Sequence, residues 1–380
     1  MTRILSISHS AVIGGYQDRY REVGRQENME LTLFTPDRWR QFNRPAELEK
    51  RYDPLYRIIA GRPITWGLRG HGLRNVTHIY PGISSVLKKT RPQIIEIWEE
   101  PFSAVTAHAI RATRKTVPRA KIIFSSAQNI EKSYPPPFCW FEKYTYRHAD
   151  FAFVMNEEVN EVIRERGWRK GSLVLPLGVN PDRFRKLDVP MLRAELGLDA
   201  FIIGFIGKLE VQKGVVDLIR TSGSLKNEIN LLIIGSGPLE KKLKGLIEEL
   251  GLLGKTRIIP AVPYDKLPRY LNCMDVVVLP SRTLPGLKEQ FGRVLIEAMA
   301  CEVPVIGSDS GEIPNVIGEA GLIFPEGDTE ALAERIDFLM LHPGPAREIG
   351  RKGRRRVEEN YAWPVIARQQ LQIYHQLLKR

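Results

Sequence analysis

Phe201-Ile-Ile-Gly-Phe-Ile-Gly207-Lys208-Leu-Glu-Val-Gln-Lys213-Gly214 opens on a short run that is apolar on both faces and breaks at a glycine. A strand covered on both sides reads this way, whereas a strand with one wet face alternates. The same form recurs at Leu231-Leu-Ile-Ile-Gly235, Arg257-Ile-Ile-Pro260, Val276-Val-Val-Leu-Pro280 and Pro304-Val-Ile-Gly307, each closed by Gly or Pro. These runs predict a parallel sheet buried between helices, with ligands expected at the carboxyl ends of its strands.

An earlier series has the same character. Ile4-Leu-Ser-Ile7 is followed by the turn Ser8-His9-Ser10, by Gly14-Gly15, and by a helical stretch ending near Gln26, before Leu31-Thr-Leu-Phe34. Strand, helix, strand opens a second α/β sheet, continued by Ile94–Ile97, Ile122–Phe124 and Ala152–Met155 with helix-length segments between them. Leu173-Val-Leu-Pro-Leu-Gly-Val-Asn-Pro181 carries the Pro and Gly punctuation of a connector. A chain of 380 residues also exceeds the size at which single cores stop growing. The expectation is an N-terminal domain over 1–178, a C-terminal domain over 179–362, and a last helix over 363–380 that packs back on the first, with ligand held in a cleft between the two.

The totals are those of a globular chain, 43% hydrophobic and 26% charged, with no apolar run of membrane-spanning length. The start, Met1-Thr-Arg3 followed by a strand, is too short and polar for a signal peptide, so a cytoplasmic protein is expected. Cys139, Cys273 and Cys301 have the spacing of neither a disulfide framework nor a zinc site. The net charge of +12 is uneven: residues 1–185 hold 30 Lys and Arg against 19 Asp and Glu, and residues 186–380 hold 26 against 25. An acidic partner for the first half follows, either a phosphate-bearing acceptor or an anionic membrane surface. Nucleic acid is not expected, because no aromatic RNA-binding strand, zinc finger or basic helix occurs. Between Arg38 and Tyr80, Trp39, Arg40, Tyr52, Tyr56, Arg57, Arg62, Trp66 and Arg69 mix aromatic and basic character without strand periodicity. That mixture suits an anionic surface, or an ordinary insertion covering the domain.

The densest chemistry lies in Lys288-Glu-Gln-Phe-Gly-Arg-Val-Leu-Ile-Glu297-Ala-Met. Phe291, Val294, Leu295, Ala298 and Met299 form a helical apolar stripe that excludes Glu297. Gly292 falls where the helix starts, leaving Glu289 in the preceding loop beside anion-attracting backbone N–H groups. Two glutamates eight residues apart turn about 80° from each other on a helix, so one face does not hold both. In isolation the pair reads as two solvated glutamates. Lys208 and Lys213 add point charges suited to phosphate, and Gly235-Ser-Gly237 lets backbone approach a ligand. No Asp-x-Asp occurs and the histidines lack metal spacing, so no metal ion is expected.

Taken together, Gly207-Lys208, Lys213-Gly214, Gly235-Ser-Gly237, Pro280-Ser281, Glu289-Gln-Phe-Gly292, Glu297 and Gly311-Glu-Ile-Pro314 resemble the donor half of the retaining GT-B glycosyltransferases of family four, the glycosyl transferases group 1, over about residues 201–330. The resemblance implies two Rossmann-like doubly wound α/β domains facing across a cleft, and a nucleoside diphosphate sugar as co-substrate with no cofactor. It implies a catalytic set of Lys208, Lys213 and Glu289, with the lysines on the diphosphate and Glu289 on the sugar hydroxyls. It further implies donor contacts from Gly15, Gly207, Gly237, Val262, Gln290, Phe291, Gly292, Arg293 and Val294, and a ribose contact from Glu297. The leaving diphosphate would take the acceptor's proton.

On the acceptor side the family often has a histidine after an N-domain strand, where this chain reads Phe124-Ser-Ser-Ala-Gln-Asn129. Asn129, His9, and Glu99 and Glu100 of Trp98-Glu-Glu-Pro101 are the acceptor-side candidates, with one of the two glutamates expected to face the acceptor. The acceptor implied is a sugar, lipid-linked or phosphorylated. The competing readings are a nucleotide-sugar epimerase or hydrolase of the same fold, or a non-catalytic nucleotide-sugar-binding protein.

Overall fold

The computed structural model describes residues 1–41, 44–65 and 73–379. The chain divides into two compact units, Met1–Pro176 with Ile366–Arg380, and Leu177–Val365.

The first unit is built on a seven-stranded sheet in the order Gly171–Val174, Phe151–Val154, Lys121–Ser126, Ile94–Ile97, Thr2–Ile7, Met29–Pro36, Arg57–Gly61. Every pairing is parallel. Leu5, Ile7, Ile95, Ile97, Ile122 and Phe124 are buried on one face of the central strands and Ile4, Ile94 and Ile123 on the other, so both faces of the sheet are dry. The second unit carries a six-stranded parallel sheet in the order Thr256–Ile259, Ile229–Ile234, Phe201–Ile206, Val276–Leu279, Val305–Ser308, Leu322–Phe324. Its central strands are again buried on both sides, which is why their sequences do not alternate.

Three segments depart from expectation. Leu173 and Val174, read as the start of a connector, belong to Gly171–Val174, an edge strand paired with Phe151–Val154. A Cβ at Gly171 would stand 2.5 Å from the Phe151 ring, so the glycine is what lets this strand close on its neighbour. Arg57–Gly61 is the opposite edge strand, and its partly exposed pattern gave no period to read. Leu322–Phe324 is a three-residue edge strand. The rest of the aromatic and basic stretch forms the hairpin Arg38–Gln41 with Arg44–Glu47 and the short pair Ile64–Thr65 with His78–Ile79. Trp66 and Arg69 lie outside the described residues.

The helix Trp363–Lys379 is tied to the first unit by an unusual polar contact in the core. Glu96, within the strand Ile94–Ile97, is 1% exposed and accepts Gln370 Nε2 at 2.5 Å and the Tyr374 hydroxyl. The Tyr374 phenol is pushed well above its ordinary range by burial and by the Glu96 charge, so it stays a donor. Tyr374→Phe is expected to leave Glu96 short of a donor and to cost about 1–3 kcal/mol in urea unfolding of this unit. An unchanged midpoint would show that the contact is idle. Among the described residues, no helix is long and apolar enough to cross a membrane.

Candidate functional site

In each sheet the strand order reverses beside one central strand, and loops leaving the carboxyl ends there define the place where ligands settle. In the second unit the reversal falls between Phe201–Ile206 and Val276–Leu279. Gly207 through Gly214 leave the first of these strands, and Pro280 through Gly292 leave the second.

These two loops meet at Glu289. Lys213, in the 3-10 turn Val211–Lys213, places Nζ 2.5 Å from Glu289 Oε2, and the Ser281 hydroxyl donates to the same oxygen at 2.8 Å. Burial pushes the Glu289 carboxyl up, but the Lys213 charge, with hydrogen bonds from Lys213, Ser281 and the Phe291 N–H, outweighs it and holds the group below its ordinary value. Glu289 is therefore a buried, ionised carboxylate at neutral pH. Its loop is clamped from behind, because Glu312 N–H donates to the Glu289 carbonyl at 3.1 Å and Gly311, at φ +55°, passes so close that a Cβ would stand 2.1 Å from that oxygen.

The helix Arg293–Ala300 follows, capped by Gly292 at φ +80°. Its intrahelical bonds begin with Leu295 N–H to Gly292 carbonyl, so the amides of Arg293 and Val294 head the first turn. Phe291 is buried edge-on against Tyr361, and Gln290 sits between Phe291 and Glu289. Glu297 is not solvated: it is 3% exposed, and its Oε1 has no hydrogen-bond partner among the described residues. Burial pushes its pKa up to about 7 against the Arg293 charge and a hydrogen bond from Tyr264. Tyr264 belongs to the loop leaving Thr256–Ile259, which also carries the half-buried Val262. A buried carboxylate with an unused oxygen is a costly arrangement that a diol would relieve.

Lys208 is about half exposed at the other end of the first loop, its Nζ 3.8 Å from Glu210 Oε1. The Gly235–Gly237 turn is pinned against Leu209 by Leu209 N–H to Ser236 carbonyl and Leu239 N–H to Leu209 carbonyl, both 3.1 Å. A Cβ at Gly237 would lie 2.4 Å from the Leu209 carbonyl, which fixes glycine there. Gly207 donates to the Ile234 carbonyl at 3.0 Å, so the two glycine turns form one layer.

In the first unit the reversal lies between Thr2–Ile7 and Ile94–Ile97. His9 and Glu99 leave these strands and join: His9 N–H donates to Glu99 Oε1 at 2.8 Å, and His9 Nδ1 lies 2.6 Å from Oε2. His78 completes the group, its Nε2 3.9 Å from Glu99 Oε1. His78 Nδ1 lies 3.0 Å from the Asn75 carbonyl, which assigns the proton to Nδ1. Its pKa is lowered to about 4 by burial, which outweighs the Glu99 charge. The ligand atoms of His9, His78 and Glu99 lie within 4.8 Å of one another, the one set of metal-ligand composition found among the described residues. Sequence spacing had not brought these three together.

Glu100, next to Glu99, takes different partners. It is fully engaged in tying strand ends, accepting the Ser126 hydroxyl at 2.7 Å and Ala127 N–H at 2.8 Å, with its pKa pushed up to about 7 by burial against those two bonds. Asn129 is likewise buried, donating to Glu158 at 3.2 Å. Gly15 lies in the 3-10 turn Gly14–Gln17, buried. Sequence reading missed His78 and Tyr264, neither of which carries a local signal.

Residues 191–356 match the family model for glycosyl transferases group 1. The chain is 33% identical over 200 residues to an α-maltose-1-phosphate synthase of Mycolicibacterium smegmatis, covering 48% of this chain and 50% of that one. It is 31% identical over 201 residues to a GDP-mannose-dependent α-(1-6)-phosphatidylinositol monomannoside mannosyltransferase of the same organism, covering 50% and 52%. The matches thus span about half the length of these curated relatives. In fold the likeness covers both chains completely: a sucrose-phosphate synthase from Thermosynechococcus elongatus superimposes with a TM-score of 0.77 at 23% identity. Two Rossmann-like doubly wound units of the GT-B class are the architecture observed.

Proposed function

We propose that this chain, whose residues 191–356 match the family model for glycosyl transferases group 1, moves a sugar from a nucleoside diphosphate to an acceptor hydroxyl with retention of configuration. Lys208, Lys213 and the amides heading the Arg293–Ala300 helix meet the charge of the diphosphate, with no metal ion needed at the phosphates. Glu289 holds the sugar hydroxyls and Glu297 the ribose diol. The acceptor oxygen bonds to the anomeric carbon as the bond to the diphosphate breaks, and the leaving phosphate oxygen takes the acceptor's proton. The residues at the first unit's strand reversal, His9 and Glu99 foremost, orient the acceptor, with Gly15, Glu100 and Asn129 supporting that face. The enzyme works in the cytoplasm, at the inner face of a membrane where its acceptor is lipid-linked.

The observation that carries this reading is the pairing of two differently tuned buried carboxylates beside one helix start: Glu289 ionised by Lys213, and Glu297 with an oxygen left unused. A solvated pair of glutamates would show neither property. The relatives' names support the substrate class, one being GDP-mannose-dependent and both involving phosphate-bearing products or acceptors. Thermal shift with UDP, GDP and ADP, each alone and as the glucose or mannose conjugate, is the direct screen. One nucleotide is expected to raise the melting temperature by several degrees, and no shift with any of them would sink the proposal.

A further inference from the structure

We propose that an arginine-lined cavity of the first unit binds a phosphate-bearing anion, the charged end of the acceptor. Assignment to the acceptor rests on the glycosyl-transfer reading, whereas binding of the anion does not.

The cavity is a hollow of about 850 Å³ open to solvent, lined by the exposed Arg38, Arg40, Arg51, Arg62 and Arg74 together with the buried Trp39. Asp37 is the one acid among its described lining residues. Arg62 Nε lies 3.5 Å from Asp37, and Arg38 Nε lies 3.3 Å from Glu47, in pairs exposed enough for water to compete. Arg40, Arg51 and Arg74 have no ion-pair partner among the described residues. The arginines come from separate parts of the chain: the hairpin strand Arg38–Gln41, the loop at Arg51, the segment after Arg57–Gly61, and the helix Leu73–Thr77. Folding thus gathers like charges around a hollow, and the described residues supply little acid to balance them. An anion from outside supplies the balance, and guanidinium forks match phosphate oxygens two at a time.

Position links the cavity to the chemistry already described. Asp37 follows the carboxyl end of Met29–Pro36, the strand beside Thr2–Ile7. Trp39, 5% exposed, stands with its ring 5.2 Å from His9 and 4.8 Å from His78. One aromatic ring therefore separates the arginines from the His9–Glu99 pair. A phosphate held by the arginines leaves the rest of its molecule beside that pair, on the side of the sheet where ligands bind. The volume suits a sugar phosphate or a diphosphate headgroup.

The test uses the full chain and the variant Arg40→Ala/Arg51→Ala/Arg74→Ala, with two probes at low and high salt. Inorganic pyrophosphate is followed by calorimetry, and phosphatidylcholine vesicles with or without phosphatidylglycerol by co-sedimentation. The variant is expected to bind at least one anionic probe roughly tenfold or more weakly than wild type, and wild-type binding is expected to fall with salt. Loss for pyrophosphate alone assigns a soluble phosphate-bearing acceptor, loss for vesicles alone a lipid headgroup, and loss for both a lipid-linked phosphate. Equal binding of both probes by wild type and variant, or no binding by wild type, overturns the proposal. Arg62→Ala, at a side chain 92% exposed, provides a second variant should the triple one melt early. Nucleotide shifts measured in the same variants separate the two claims. Shifts retained alongside lost anion binding support both, and no nucleotide shift in wild type removes the glycosyl-transfer reading while leaving the anion difference in force.

Discussion

Lys213→Ala is expected to cut both the transfer rate and the stability of the second unit, and to do so through one carboxylate. Lys213 and Glu289 form an ion pair with side chains 21% and 8% exposed. Taking away one partner of a buried pair costs about 3–5 kcal/mol, because the remaining charge keeps its desolvation and loses its compensation. The sign depends on pH. In the wild type the Glu289 pKa is depressed, so its contribution is present above the unfolded value near 4.5 and is lost as pH falls through the folded value. Without Lys213 the burial that already pushes this carboxyl up loses its main opponent, and the variant loses stability as pH rises. The gap between wild type and variant should thus be small in urea unfolding near pH 4 and full near pH 7.

The same lysine is proposed to meet charge on the leaving diphosphate, where loss of one donor lowers the rate about 10²–10³-fold. Lys208→Ala separates the two effects. Its side chain is 45% exposed, so its removal should spare the fold and still slow transfer. Wild-type turnover in both variants would contradict the assignment of the phosphate contacts.

Glu297→Gln should go the other way on stability. Burial lifts the Glu297 carboxyl from 4.5 to about 7, so folding gains from this group below its unfolded value and loses the gain as pH rises through the folded one. Above pH 7 the buried carboxylate then costs the fold about 3 kcal/mol, at about 1.4 kcal/mol for each unit of displacement. Glutamine fills the same space without ionising. The variant is therefore expected to melt several degrees above wild type at pH 8 and to show no such gain at pH 4. It should also bind the nucleoside diphosphate roughly ten to a hundredfold more weakly, since hydrogen bonds from the ribose hydroxyls to a charged acceptor are worth about 1.5–3 kcal/mol each. Gain of stability with loss of binding is the mark of a group kept for function. A variant less stable at pH 8 with unchanged affinity would show that Glu297 is structural.

The sequence showed the sheets because their strands are covered on both faces, so Phe201–Ile206, Ile229–Ile234 and Val276–Leu279 announce themselves as unbroken apolar runs. Edge strands were harder. Arg57–Gly61 is half wet, Gly171–Val174 looks like a turn, and Leu322–Phe324 is too short to carry a period. The second unit's cluster was readable since Glu289, Gly292 and Glu297 lie within one loop and helix start, and the glycines mark where the backbone turns left-handed or passes close. What stayed hidden was non-local. His78 reaches both His9 and Glu99 from a two-residue strand, and Tyr264 reaches Glu297 from a different strand's loop. The partners of Glu100 were hidden for the same reason, since Ser126 and Ala127 lie at the end of a different strand.

The central claim is that Glu297 waits, buried and incompletely paired, for the two hydroxyls of a nucleotide ribose. Calorimetric titration of wild type and Glu297→Gln, each with the nucleoside diphosphate selected by thermal shift and with its 2′,3′-dideoxy analogue, tests this as a double-mutant cycle. Wild type should prefer the natural nucleotide by roughly a hundredfold, and Glu297→Gln should bind the two almost alike. Equal discrimination by both proteins would place the ribose elsewhere and contradict the account.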